Sequence, residues 1–131
     1  MANFKKHIAT GALTGCSFAV LRSVLIQRQK IMNGEQPNFD WNQLLQSGSL
    51  GLLVGAVGGI LPDILEPALN PHHRKSFHSV AAAIVIGKIL VEIETAPGLD
   101  PDNRDGIHCG GLGYLSHLAL DMMTPIGLPL I

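Results

Sequence analysis

Charge, cysteine and unbroken apolar runs are all scarce in this chain, and each shortage excludes something. Charged residues fill 15% of its 131 positions, against about 25% in ordinary soluble domains. Lys and Arg number 9 and Asp and Glu 10, giving a net charge of −1. A chain without a basic patch has no footprint for nucleic acid. Cys16 and Cys109 are the two cysteines. They are too few for a disulfide framework and form no CxxC pair, so they read as small buried thiols in a reducing compartment. No G-x-S-x-G, P-loop or dinucleotide fingerprint occurs. Asp100 to Gly106 hints at a calcium loop, but Arg104 and Asp105 stand where an EF-hand needs an acidic ligand and a glycine. That stretch reads as a solvated turn.

No run reaches the roughly 20 apolar residues of a membrane-spanning helix. Trp41 to Leu61 carries no charge, yet its first half is polar, and Gly48, Gly51, Gly55, Gly58 and Gly59 dilute it. His7 to Leu21 is short before Arg22 interrupts it. Lys5 and Lys6 ahead of that stretch mimic a signal peptide, but Thr10, Thr14 and Ser17 weaken its apolar core. The expectation is a mature N-terminal helix. Hydrophobic residues are 47% of the chain and mean hydropathy is +0.30. These values lean towards a membrane-associated or unusually buried chain, and the expected location is a membrane or the cytoplasm, not secretion.

What is present is helical. The length suits one domain, residues 1–131, with a core of its own. No segment alternates like a strand, so the class is all-α: a compact bundle of about four main helices. The first is expected over Lys5 to Met32 and ends at Asn33-Gly34, with Arg22 to Lys30 polar and solvated. The second runs from Trp41, capped by Asp40, to Leu61, where Pro62 stops it. An irregular, Pro-rich segment follows, with Pro62, Pro67 and Pro71. The third covers Ser76 to about Thr95. A loop spans Ala96 to Asp105, and the fourth helix runs from about Gly106 to Met123. Gly51, Gly55 and Gly59 share one helical face, and Gly11 and Gly15 share another with His7. Small residues at this spacing let helices approach closely.

The chemistry-bearing residues abut apolar sequence, where ionised groups are costly unless paired or bound to metal. His117 and Asp121 are four apart and share a face, with Gly110 and Gly113 on the preceding turns. His73 and His78 flank the entry to the third helix. If Ser76 caps that helix, His78 lies in its first turn, where backbone amides favour an anion. Arg74 and Lys75 add positive charge there, and His72 and Lys75 read as solvated. Asp63 projects from the corner made by Pro62, with Glu66 close behind. Either carboxylate could ligate a metal or act as a general base. His7 joins the set through its register with the glycines; His108 reads as a helix-start residue. Imidazole with carboxylate suits zinc first, and manganese or iron as alternatives.

The order of these elements resembles a known family. An N-terminal His precedes a Gly-rich helix. Then come Leu-Pro-Asp (61–63), His-Arg-x3-His-Ser (73–79) and Gly-Tyr-Leu-Ser-His-x3-Asp-x2-Thr-Pro-x-Gly (113–127). The pattern is similar to the membrane-bound, metal-dependent hydrolases of the YdjM type, and the likeness covers His7 to Gly127. It implies His7, Asp63, His73, His78, His117 and Asp121 as metal ligands. The family's second Asp, two positions after the first, is replaced here by Leu65 with Glu66 next to it. The expected function is hydrolysis of an ester or phosphoester, small or lipid-like, by metal-activated water. Asp63 or Glu66 would take the proton and Arg74 would hold an anionic group. A membrane surface and a homo-oligomer are compatible partners. The rival is a non-catalytic helical module, membrane-associated or oligomeric, whose His/Asp centre is structural.

Overall fold

The computed structural model describes residues 4–67, 76–125 and 127–130. Four helices follow in order: α1 (Phe4–Met32), α2 (Trp41–Leu65), α3 (Val80–Ile93) and α4 (Pro101–Met122). No strand occurs among the described residues, as the absence of alternation predicts. Helix α1 runs antiparallel to α2, with Gly11 against Gly55 and Gly59, and Gly15 against Gly51 and Gly55. Helix α4 lies parallel to α2: Gly110 meets Val54, Gly113 meets Gly55 and His117 reaches Gly59, with Gly58 seated against the Gly110 carbonyl. Helix α3 packs on α4 alone among the described helices. The start of α1, the ends of α2 and α4, and the entry to α3 therefore meet at one end of the bundle.

Several boundaries differ from the expected ones, each for a local reason. Pro62 does not stop α2. It sits buried inside the helix, which continues to Leu65. Proline inside a helix costs about 3 kcal/mol, and the packing that buries Pro62 offsets that cost. Asp63 is thus a helical residue, not a corner residue. Ser79 caps α3, not Ser76: its Oγ accepts from Ala82 N at 3.1 Å and donates to Ser76 O at 2.7 Å. Residues 76–79 form a turn, so His78 lies ahead of the helix and not in its first turn. Helix α4 starts at Pro101, five residues early, because Asp100 caps it through Asp102 N and Asn103 N and Pro101 fills the first helical position. The presumed solvated turn is the first turn and a half of α4.

The polar half of α1 is not simply solvated. The buried stripe of α1 recurs every four residues, His7, Gly11, Gly15, Ala19, Ser23 and Gln27. Gln27 is completely buried. Its Oε1 accepts from Asp40 N at 2.6 Å and its Nε2 donates to Asp40 O at 3.0 Å, pinning the α1–α2 loop at the residue that caps α2. Arg22 reaches Glu94 and Asp105, each at 3.2 Å, tying α1 to the far end of α3 and α4.

By length and composition, α1 and α2 can each cross a membrane, contrary to the reading from unbroken apolar runs. Their most apolar stretches average hydropathies of 1.5 and 1.7, and only 22% and 28% of those stretches are buried within the chain. Core helices of a soluble protein would be mostly buried. Glycine and hydroxyl residues break an apolar run without making a helix polar, and α2 continues through Pro62, so both helices are longer in apolar character than their unbroken runs.

A matched pair of substitutions tests the glycine contacts. A Cβ on Gly58 would collide with the Gly110 carbonyl oxygen, whereas one on Gly87 meets nothing within 4 Å. Gly58→Ala should destabilise the detergent-solubilised chain by about 1–3 kcal/mol through overpacking. Gly87→Ala should stabilise it by up to about 1 kcal/mol through helix propensity. Thermal melting followed by circular dichroism reads both; a Gly58→Ala chain as stable as its parent would contradict the close α2–α4 approach.

Candidate metal centre

At the shared end of the bundle, α1 contributes His7, α2 contributes Asp63, the turn before α3 contributes His78, and α4 contributes His117 and Asp121. His7, His78, His117 and Asp121 are all buried. Asp63 is the open member, its side chain 34% exposed. Four atoms form a ring. His78 Nε2 lies 3.2 Å from Asp63 Oδ1 and 3.9 Å from Asp121 Oδ2. His117 Nε2 lies 3.7 Å from Asp63 Oδ1 and 3.4 Å from Asp121 Oδ2. On the other oxygen of Asp121, His7 Nε2 approaches Oδ1 at 3.6 Å, and the His7 ring stacks on His117 with centroids 3.7 Å apart.

The second nitrogen of each ring decides which way its lone pair points. His117 Nδ1 lies 2.7 Å from the carbonyl oxygen of Gly59. A carbonyl only accepts, so Nδ1 carries the proton and Nε2 of the neutral ring presents a lone pair. That lone pair faces two carboxylates. His117 Nε2 is buried, and no described group hydrogen-bonds it. His78 has a carboxylate on each side: Nδ1 lies 3.2 Å from Glu66 Oε2, while Nε2 lies 3.2 Å from Asp63 Oδ1 and 3.9 Å from Asp121 Oδ2. The His117 lone pair and two carboxylates converging in a largely buried space repel one another unless a positive charge, a metal ion or a protonated His78, sits among them.

A metal ion fits that requirement. Metal–nitrogen and metal–oxygen bonds of about 2.0–2.2 Å in a tetrahedral site put ligand atoms about 3.3–3.6 Å apart. The four ring distances, 3.2 to 3.9 Å, bracket that span. His78 and His117 also show the outer hydrogen bond, to a carboxylate or a backbone carbonyl, that metal-bound imidazoles make. Each of two triads has donor atoms within 4.8 Å of one another and could hold an ion: His7, Asp63 and His117, and His78, His117 and Asp121.

The structure therefore brings together His7, Asp63, His78, His117 and Asp121 from the expected set. Glu66 stands behind His78, on the far side of its ring from Asp63. His73 and Arg74, with His72 and Lys75, lie outside the described residues. His108 is apart from the cluster. It stacks on Phe18, and its Nδ1 lies 3.0 Å from Arg104 O. Sequence reasoning missed the Gly59 carbonyl, for which no side-chain signal exists. It also missed Tyr114, whose hydroxyl donates to Phe77 O at 2.6 Å. A lone tyrosine three residues before His117 on an apolar face needed a polar partner, and that was a readable signal.

Comparison with known proteins adds the family. No curated protein and no solved structure gives a significant match. The family model for the YdjM inner membrane protein matches residues 1–131, the whole chain. Both the two membrane-length helices and the motif order read from the sequence agree with that match. The chain belongs to the YdjM inner membrane protein family.

Proposed function

We propose that this protein is a membrane-embedded, metal-dependent hydrolase of ester or phosphoester substrates. The observation that carries the reading is the convergence of two Nδ1-anchored imidazoles on two carboxylates in a buried space. His78, His117 and Asp121 would hold the metal and leave its remaining position to water, with zinc favoured by the nitrogen and oxygen donor set and manganese or iron as alternatives. His7 and His73 are the further expected ligands. When bound, such an ion supplies Lewis acidity towards a carbonyl or phosphoryl oxygen and lowers the pKa of water.

The chain's own groups divide the remaining work. Asp63 is the donor that solvent reaches, so it is the carboxylate placed to accept a proton from an attacking water. Buried Asp121 and the two anchored imidazoles keep the centre rigid. Arg74, by its charge and its place in the sequence, would hold an anionic part of the substrate. A lipid-like substrate is supported by the rim of the site. Phe4, Ile64, Leu65, Phe77, Met122 and Met123 are exposed large apolar residues, each within three positions of a donor. Exposed Lys6, two residues after Phe4, suits an anionic headgroup.

One distance favours the rival reading. His78 Nε2 and Asp63 Oδ1 are within hydrogen-bond range, at 3.2 Å, as in a metal-free imidazolium–carboxylate network. Metal content separates the two. The full chain, purified without added metal or a histidine tag, should carry about one or two equivalents of zinc, manganese or iron, given the donors available. His117→Ala should lose it. Removing the metal should also lower thermal stability, by about 2.7 kcal/mol where free metal stood at a hundred times its Kd. A chain that stays metal-free after reconstitution, with His117→Ala still folded, sinks the hydrolase reading. A metal-loaded chain should then be assayed on esters and phosphoesters of both soluble and lipid form, with Asp63→Asn expected to lose at least about a hundredfold in rate if Asp63 is the base.

A further inference from the structure

Glu66 is bound to the polypeptide in an unusual way. Its Oε1 accepts from Ser76 N at 2.8 Å, and its Oε2 accepts from Phe77 N at 3.0 Å and from His78 N at 3.2 Å. The same Oε2 meets His78 Nδ1 at 3.2 Å. One carboxylate at the end of α2 therefore grips three consecutive amides and the ring of the residue they lead to. The clamp is closed from the other side. The buried Tyr114 hydroxyl of α4 donates to Phe77 O at 2.6 Å, so both faces of the Phe77 peptide are held. Ser79 Oγ takes Ser76 O and caps α3, which ends the turn.

We infer that Glu66 is the positioning residue of this centre, fixing His78 with its proton on Nδ1 and its Nε2 lone pair aimed at the metal position. This role rests on the metal-centre reading given above. The chemistry is that of a carboxylate behind a ligating histidine. An ionised carboxylate only accepts, so Glu66 keeps a proton on Nδ1, and a metal replacing the proton between Nε2 and Asp63 would take Nε2 as its ligand atom. The backbone bonds add a second function. Together with the Tyr114 and Ser79 bonds they hold the turn 76–78 so that the His78 ring lies within 4 Å of Asp63 and Asp121. The geometry thus gives the two carboxylates of α2 different tasks. Asp63 faces Nε2 across the metal position, and Glu66 faces Nδ1 from behind.

Two variants of the full chain in detergent micelles separate this role from bulk stability. In Glu66→Gln, the single amide oxygen can occupy the Oε2 position and keep three of these four described bonds; in Glu66→Leu no acceptor remains. Zinc affinity is read by competition with a chromophoric chelator, and the protonated nitrogen of His78 by nitrogen-15 NMR of the metal-free chain. Wild type and Glu66→Gln should both carry the His78 proton on Nδ1 and should bind zinc within a fewfold of each other. Glu66→Leu should lose the Nδ1 preference and about 10–100-fold in zinc affinity. In a His78→Ala background, Glu66→Leu should cost almost nothing further, since its effect passes through that ring. Equal zinc affinity for wild type and Glu66→Leu would overturn the inference, and so would an additive loss without His78. Should Glu66→Leu fail to fold, a wild-type His78 protonated on Nε2 alone overturns it, and an Nδ1 proton kept in Glu66→Gln upholds it. Should wild type bind no zinc, the metal reading fails, while the NMR result still decides whether Glu66 sets the tautomer.

Discussion

Backbone-to-backbone contact between glycine faces is the constraint on which the rest of the structure depends. Where Gly11 and Gly15 meet Gly51, Gly55 and Gly59, and where Gly58 meets Gly110, no side chain separates the helices. Each glycine inside a helix costs about 1 kcal/mol relative to alanine. The return is proximity. His7, Asp63, His117 and Asp121 stand on three different helices, yet their donor atoms come within 4 Å of a neighbour. With ordinary side chains between the axes, short imidazole and carboxylate groups could not meet. Close approach also makes the Gly59 carbonyl reachable for His117 Nδ1, so the glycine that permits the contact also orients the ligand.

Two buried polar clusters in one small chain show how differently such groups are used. At the far end of α1, Gln27 is fully buried, and its amide oxygen and nitrogen bond the backbone of Asp40. That cluster is satisfied by protein alone and holds a loop. At the other end, His117 Nε2 faces carboxylates without a described hydrogen bond. Low local dielectric makes the first arrangement strong and the second costly. In a family of inner membrane proteins the contrast sharpens, since polar groups within a bilayer are expensive and mark functional centres. The exposed apolar sides of α1 and α2 are what a bilayer would cover.

Much of this was legible along the chain. The His117/Asp121 spacing and the glycine registers survive into the structure unchanged. The cap residues Asp40 and Asp100 are readable too, although the Asp100-Pro101 start was passed over in favour of Gly106. Pro62 misled because its local cost is real but smaller than the packing that buries it. Ser76 misled because two serines compete for the cap, and only the bond from Ala82 N to Ser79 chooses between them. Glu66 and Asp63 were indistinguishable as sequence, two carboxylates three apart beside an apolar helix.

The amino-acid sequence by itself determined that the chain is all-helical, low in charge and built with small-residue faces, and that its few histidines and carboxylates sit beside apolar segments. Those properties are local. They follow from spacing along one helix and from the cost of placing charge near apolar residues. Tertiary structure alone decided which donors share a centre and which nitrogen of each histidine faces it. It also decided that Asp63 looks outward while Glu66 stands behind His78. A lone pair's direction depends on what bonds the opposite side of the ring. For His117 that partner is a backbone carbonyl 58 residues away, which no side chain along the sequence announces.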